Sequence, residues 1–220
     1  MNTCCPRAIQ GTDKFFSKTS KRYLKRFRKK GLAKEQKFLI EGISLSKIDD
    51  KTILEIGCGV GGLHLTLLQQ GAHSAVGINI AQGMLEGAKA LSKELNMETQ
   101  TEYILGDFVQ LNGKIGDEDI TILDKVICCY EDVKTLLDKS LTKTRNIYAL
   151  SFPKSNFLIK LFFAISITLG KLLRWSFHPY WHDWDAAVKR IELAGFKQMY
   201  QNATFFWDVR VFERIKNSLS

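Results

Sequence analysis

Proline is scarce, with 3 residues in 220, and the 16 glycines follow no repeat, which excludes collagen-like, polyproline and low-complexity chains. The five cysteines (Cys4, Cys5, Cys58, Cys128 and Cys129) are odd in number and contain no C-x-x-C spacing. Neither a zinc site nor a closed disulfide framework is written in them, and free thiols in a reducing compartment are expected. No apolar stretch ahead of a small-residue cleavage site marks a secretory signal, so the cytoplasm is the expected location. Long apolar runs are also missing. The best candidate, Phe157 to Phe177, is interrupted by Lys160 and Lys171, leaving ten uncharged residues between them, about half of the roughly 20 that span a bilayer. That segment can form a buried or an interfacial helix.

Acidic residues are short at one end only. Residues 1–50 hold 13 Lys or Arg against 5 Asp or Glu, whereas residues 51–220 hold 19 against 18. The net charge of +9 is therefore a property of a basic arm on a neutral body. With 45% hydrophobic, 11% aromatic and 25% charged residues, the body has the material for one sizeable core, which excludes a disordered chain.

Hydrophobic periodicity divides the chain. Phe16, Tyr23, Leu24 and Phe27 recur at helical spacing between Asp13 and Lys30, and Phe38, Leu39 and Ile43 mark a second helix over 34–45. From Lys51 the pattern alternates: strands at 52–56, 74–80, 101–105, 119–123 and 146–151 are separated by helical stretches. Strands at 196–200 and 205–212 close the chain as a hairpin, with Gln201 to Thr204 as its connection. This rhythm predicts an α/β domain with a doubly wound, mainly parallel seven-stranded sheet covered on both faces.

The first strand runs into Ile56-Gly57-Cys58-Gly59-Val60-Gly61-Gly62. Glycines there let the backbone approach a ligand, and the following helix offers free N–H groups. Gly57, Gly59 and Gly62 fit the dinucleotide pattern G-x-G-x-x-G, while Glu55 with Gly57, Gly59 and Gly61 fits E-x-G-x-G-x-G, so the glycines alone do not choose. Glu55 weighs against a pyrophosphate, because an acid at the end of a buried strand needs a positive or hydrogen-bonding partner. A sulfonium ligand with an amino-acid head supplies one. Asp107, in Leu105-Gly106-Asp107-Phe108, adds a second anionic group at the same sheet edge.

With these residues the chain resembles the class I S-adenosylmethionine (SAM)-dependent methyltransferases over roughly residues 51–213. The matching pieces are the glycine motif, VGINIAQGML, LGDF, ILDKV and the terminal hairpin. The resemblance implies a Rossmann-like fold, SAM as cofactor, Gly57, Gly59 and Gly61 beside its methionine part, and Asp107 with Phe108 flanking the adenine. The domain is expected over 51–220, with a basic helical segment over 1–50 packing on it; the apolar content of 157–177 marks a helical cap at about 152–182, and the N-terminal helices and this cap are expected to form a lid over the substrate. The family places Asp or Glu at the end of the second strand to grip the ribose, and here that position is Asn79, which lacks the charge that strengthens such contacts. The segments YLKRFRKKGLAKEQKFLIEGI, ILDKVICCYEDV, SFPKSNF and FHPYWHDW are further similar to bacterial methyltransferases grouped with magnesium-protoporphyrin O-methyltransferases. A small lipophilic or aromatic molecule methylated at oxygen is the implied substrate. A non-catalytic SAM-binding protein, suggested by Asn79, and an NAD(P)-dependent oxidoreductase are the alternatives.

The remaining candidates stand at the same sheet edge. Asp124 follows the fourth strand, where this fold faces the transferred methyl, with an exposed Asp124–Lys125 ion pair as the competing reading. Cys128, Cys129 and Tyr130 are expected to begin the next helix as small core residues. His178 and His182 are proton-acceptor candidates near neutral pH, and Asp183 fits an N-cap. His64 and His73 read as surface or helix-end residues. The basic helix, with eight Lys or Arg over 18–30, fits a solvated face first, an anionic membrane surface second and RNA last, since Tyr23 and Phe27 are assigned to its packing face. No feature of the pattern sets an oligomeric state.

Overall fold

The computed structural model describes residues 7–173 and 179–215. Helices α1 (Arg7–Lys30) and α2 (Lys34–Ile43) precede the alternating part: β1 (Thr52–Ile56), α3 (Gly62–Gln69), β2 (Ser74–Asn79), α4 (Gln82–Glu94), β3 (Thr101–Leu105), α5 (Phe108–Leu111), β4 (Glu118–Asp124), α6 (Val133–Thr142) and β5 (Thr144–Pro153). Then come α7 (Phe157–Leu172), α8 (Trp184–Leu193), β6 (Phe196–Ala203) and β7 (Trp207–Arg214).

The strands form one seven-stranded sheet in the order β3-β2-β1-β4-β5-β7-β6. All neighbours are parallel except β7, which runs antiparallel to both β5 and β6. The chain therefore grows outward from β1 to β3, returns to the middle and grows the other way from β4. Ligand crevices in open α/β sheets form at such a reversal, outside the carboxyl ends of the strands.

Alternation along each strand explains why both faces are covered. Leu54, Leu123, Tyr148, Leu150 and Phe212 point to one face, where α6, α7 and α8 bring Leu136, Leu137, Phe163, Trp184 and Ile191. Ile53, Ile120, Ile122, Ala149, Val209 and Val211 point to the other, under Leu39 and Ile43 of α2 and Leu63 and Leu67 of α3. The one buried tyrosine of β5, Tyr148, shares a hydrogen bond with Ser140 at 2.7 Å, so its hydroxyl is satisfied inside the core.

Local chemistry moves several expected boundaries. The helix expected from Asp13 begins at Arg7. Cys128 and Cys129 lie in a single 3-10 turn, and α6 starts only after Asp132, whose carboxylate accepts from the Thr135 N–H at 3.0 Å. An aspartate N-cap outcompetes two cysteines as a helix start. The hairpin connection is 204–206, because Thr204 Oγ1 accepts from the N–H groups of Phe206 and Trp207 and makes the turn itself.

Helix α1 runs alongside α4 and supplies what that helix lacks. The α4 N-cap is Ala81, which has no capping side chain. Ser17 Oγ of α1 accepts instead from the Gly83 N–H at 3.0 Å, and Asp13 accepts from the Gln82 N–H at 3.3 Å. Arg28 pairs with Glu94 at the other end of α4. A Cβ on Gly83 would stand 2.9 Å from the Ser17 carbonyl oxygen, so the close approach needs glycine. Replacing Asp13 and Ser17 together by alanine is expected to cost about 0.5 to 2 kcal/mol, the value of a lost N-cap, and to speed tryptic cleavage within the Lys- and Arg-rich α1. Unchanged cleavage kinetics would mean that α1 is held by its apolar face alone.

Candidate active site

The glycines after β1 do different work. Gly57, Gly59 and Gly61 have φ of 69°, 55° and 82°, a left-handed region that is costly for residues with a Cβ. A Cβ on Gly57 would meet Val126 at 2.5 Å, one on Gly61 would meet the His64 ring at 3.0 Å, and one on Gly62 would meet the Phe27 ring of α1 at 2.6 Å. A Cβ on Gly59 would meet nothing within 4 Å. Gly59 is thus the turn's open position, and it borders a cavity of 740 Å³.

Glu55 is 3% exposed and its partner belongs to the protein. His64 Nδ1 lies 2.6 Å from Glu55 Oε2, the His64 backbone N–H donates to the same oxygen at 3.3 Å, and His64 Nε2 lies 3.0 Å from the Tyr103 hydroxyl. His64 stands at a helix end as expected, in the first turn of α3, but it is fully buried and no surface residue. Its position nine residues after Glu55, one turn into α3, was the available signal. Burial pushes the Tyr103 phenol up to about 12, and burial together with Glu55 pushes the Cys58 thiol well up. Cys58 is consequently a poor nucleophile.

Asp107 and Asn79 also line the cavity, each with an internal bond. Asp107 accepts from the Val109 N–H at 3.0 Å and from the Tyr130 hydroxyl at 2.9 Å; burial and this carboxylate raise the Tyr130 phenol. Asn79 Oδ1 accepts from the Ala81 N–H at 2.8 Å, turning its oxygen into the β2–α4 turn. Phe108 borders the cavity but is 2% exposed, most of its ring lying in the core.

Asp124 sits in a network that joins β4, β5 and α2. Its carboxylate accepts from Ser151 Oγ at 2.6 Å, from Gln36 Nε2 at 2.9 Å and from Lys125 Nζ at 3.2 Å. Lys125 Nζ also meets Glu35 at 2.8 Å and lies 5.6 Å from the Trp207 ring centroid. The competing reading, an exposed Asp124–Lys125 pair, is not met: the pair forms but is mostly buried, the Lys125 and Asp124 side chains 28% and 9% exposed. Burial alone would lower the Lys125 ammonium, but Asp124 and Glu35 more than offset this and hold it above its ordinary value. Lys125 has φ 60°, and its N–H is fixed by Ser151 Oγ at 3.0 Å, a strained residue over-determined by its surroundings at the cavity wall. Glu35, Gln36, Ser151 and Trp207 were not singled out in the sequence. Gln36 had a readable signal, since it stands three residues after the N-cap Ala33 and accepts from its N–H at 3.0 Å.

His182 is placed differently. Its Nε2 is 2.9 Å from the Tyr130 carbonyl oxygen and its ring stacks near Tyr180; it does not border the cavity, whereas Tyr180 does. His178 lies outside the described residues. Asp183 caps α8, accepting from the Ala186 N–H at 3.0 Å. Of the two covering elements expected, the N-terminal helices border the cavity and the described residues of the apolar segment 157–177 do not. No described residue of α7 borders the cavity; Phe15, Phe16, Tyr23 and Phe27 of α1 do. Tyr23, assigned to the packing face, is 40% exposed on this wall. The α1 latch on α4 explains why: it carries these rings across the carboxyl ends of β1 and β2, while α7 leaves β5 toward the hairpin side.

Two predictions follow the geometry. His64→Leu leaves Glu55 buried without its partner and is expected to cost about 3 to 5 kcal/mol, and adding Glu55→Leu should recover much of it; urea unfolding of the three variants checks this, and equal losses in single and double variants would disprove the coupling. His182 is held below the ordinary imidazole range, first by burial. Between its folded value and about 6.5 the unfolded chain binds more protons, so this contribution to stability rises with pH and is lost as pH falls below about 6.5. His182→Gln keeps a donor toward Tyr130 and should flatten that part of the pH dependence of the urea midpoint; an unchanged slope would assign it to other groups.

Comparison with known proteins bears on this geometry. A family model described as a methyltransferase domain matches residues 53–147. Norajmaline N-methyltransferase of Rauvolfia serpentina is 30% identical over 84 residues, a stretch covering 38% of this chain and 28% of that enzyme's length. Among solved structures, magnesium protoporphyrin IX methyltransferase from Synechocystis PCC 6803 with bound S-adenosylhomocysteine superposes with a TM-score of 0.70 at 20% identity, over 93% of this chain and 98% of that one. The same enzyme with bound SAM gives 0.69 at 18% identity, over 98% and 100%. At these identities the superpositions speak to fold. An NAD(P)-dependent oxidoreductase and a non-catalytic SAM-binding protein are not favoured by matches of this kind.

Proposed function

We propose that this chain is a class I SAM-dependent methyltransferase, as its match to a methyltransferase domain and its sheet order support, and that it transfers a methyl group to a small lipophilic or aromatic molecule, with oxygen as the favoured acceptor. One observation carries the reading: a single cavity joins the open Gly59 backbone to the Asp124 network under a wall of α1 aromatics. The residues fit the cofactor. Gly59 offers backbone with no side chain in the way, Asn79 and Asp107 present polar groups at the ends of β2 and β3, and Phe108 and Val109 give an apolar edge. When bound, SAM supplies an electrophilic methyl on a sulfonium.

The chain's own contribution is placement and dryness. Phe15, Phe16, Tyr23, Phe27 and Trp207 leave little water beside an acceptor, and an in-line displacement gains most from holding nucleophile and methyl together. Asp124 is the group positioned to take the proton from an acceptor hydroxyl, with Ser151, Gln36 and Lys125 fixing its orientation. His182 is held away from this point by the Tyr130 carbonyl. A nitrogen acceptor is the second reading. It is favoured by the excess of carboxylate over ammonium at Asp124, Glu35 and Lys125, and by the N-methyl chemistry named for the Rauvolfia relative.

SAM should raise the melting temperature of the wild-type chain, by about the equivalent of 2.7 kcal/mol at a hundredfold excess over Kd. Gly59→Val should lose that shift when measured against the variant's own baseline, since its branched side chain fills the approach. Incubation with SAM and a panel of phenols, aromatic acids and amines, read by mass spectrometry for an added methylene, then identifies the acceptor class. A wild-type chain that SAM does not stabilise would sink the proposal.

A further inference from the structure

Among the described residues, α7 carries a continuous row of exposed apolar side chains. Phe157, Leu158, Leu161, Phe162, Ile165 and Leu169 are between 40% and 76% exposed, and their spacing puts them along one side of a helix about 24 Å long. Ile159 and Phe163, at 2% and 4%, mark the opposite side that faces the core. Burying one stripe of a uniformly apolar helix leaves the other stripe in water, which monomeric soluble domains rarely tolerate over such a length.

Charge decides what covers it. From Lys139 to His182 the chain carries seven Lys or Arg and not one Asp or Glu; Lys139 and Lys143 are engaged by the Val109 carbonyl and Asp117, which leaves Lys154 and Lys160 as the described cations at the helix. Lys154 flanks the start of the helix, and Lys160 stands exposed beside the stripe, 6.0 Å from the Trp181 ring centroid. A second acid-free stretch, 14–34, holds ten basic residues, and in it Lys18, Lys21, Arg22, Lys25 and Lys29 are exposed. A second copy of this chain would bring the same positive surface against itself. An anionic bilayer accepts both the apolar stripe and Lys154 and Lys160 beside it. We propose that α7 docks the protein onto an anionic lipid surface, lying in the interface with its exposed stripe in the acyl boundary and its lysines among the headgroups. No helix among the described residues is long and apolar enough to cross a membrane, so the contact is in-plane.

The docked face adjoins the cavity. Trp207 borders the cavity, and its neighbour Phe206 packs against Phe162 at 5.7 Å and Phe163 at 6.0 Å between ring centroids. Both α7, which follows the end of β5, and the cavity wall of α1 belong to the carboxyl edge of the sheet. The docking stands apart from the reading of the reaction and is tested without it.

The full-length chain is sedimented with vesicles of phosphatidylcholine and with an equal mixture of phosphatidylcholine and phosphatidylglycerol, at about 0.01 M and about 1 M salt. Binding to the anionic vesicles should exceed binding to the neutral ones by about tenfold or more at low salt and fall on adding salt. Leu161→Glu with Ile165→Glu should abolish it, the pair being exposed and the melting temperature unchanged. Lys21→Glu with Lys25→Glu should weaken it mainly at low salt. Failure of the wild type to bind either vesicle, or undiminished binding by the Leu161/Ile165 variant, overturns the proposal. A wild-type dimer in sedimentation equilibrium that this variant dissociates, with no vesicle binding, would make a second copy the occupant instead.

Discussion

The contact between Glu55 and His64 brackets the glycine turn, and the cavity depends on it. A carboxylate at the end of a central buried strand has to be hydrogen-bonded, and here the bond comes from the first turn of the helix that the loop leads into, at 2.6 Å. The chain between them is pinned at both ends. The backbone is pinned as well, since the N–H groups of Gly57 and Cys58 both donate to the Ile78 carbonyl oxygen. Gly59 is then the part of the turn that faces outward with nothing opposite it. Tyr103 extends the bracket to β3, so three parallel strands and α3 hold one loop.

The same turn is also where α1 lands. Gly62 has an ordinary φ, and its glycine is required by the Phe27 ring rather than by a ligand. This resolves the ambiguity of the two glycine templates in physical terms: the glycine that completes the dinucleotide pattern is a helix seat, and the open one belongs to both patterns. The latch of Ser17 and Asp13 on the uncapped α4 gives α1 its angle. Its apolar side then has two destinations, Leu24 against the core and Phe15 and Tyr23 toward the cavity, with Phe16 and Phe27 meeting both.

The sheet's mainly parallel winding, the strand positions and the turn were legible because they rest on strand–helix alternation and on glycines that are close in sequence. Asp107, Asn79 and Asp124 were legible for the same reason, as strand-end residues of a fold whose ligands gather there. What escaped was set by contacts between distant segments. His64 reads as an ordinary helix residue until β1 and β3 are placed on either side of it. Gln36 reads as a capping residue, which it is, while its amide reaches Asp124, 88 residues away. Assigning the cap to 157–182 followed from apolar content, yet the rings that border the cavity come from the more charged α1. Hydrophobicity told that α7 needs a cover, and only the topology told which side of the sheet it is on.

The placement of these distant partners bears on specificity. The stretch matched by the family model, residues 53–147, contains the glycine turn, Asn79 and Asp107, which are proposed to hold the cofactor, and Asp124 at the end of β4. The groups that would surround an acceptor come from elsewhere: the α1 rings, Gln36 and Glu35 from α2, Tyr180, and Trp207 from the closing hairpin. Asp124 itself is fixed by donors from both sources, Lys125 from within the matched stretch and Gln36 and Ser151 from outside it. The orientation of Asp124 and the shape of the cavity are therefore coupled through α2, so that displacing the N-terminal helices would disturb both, and with them the proton transfer proposed for Asp124. Discrimination between acceptors then follows from how well a molecule fills the space that these late and early segments enclose, and a motif confined to the central strands carries little of it.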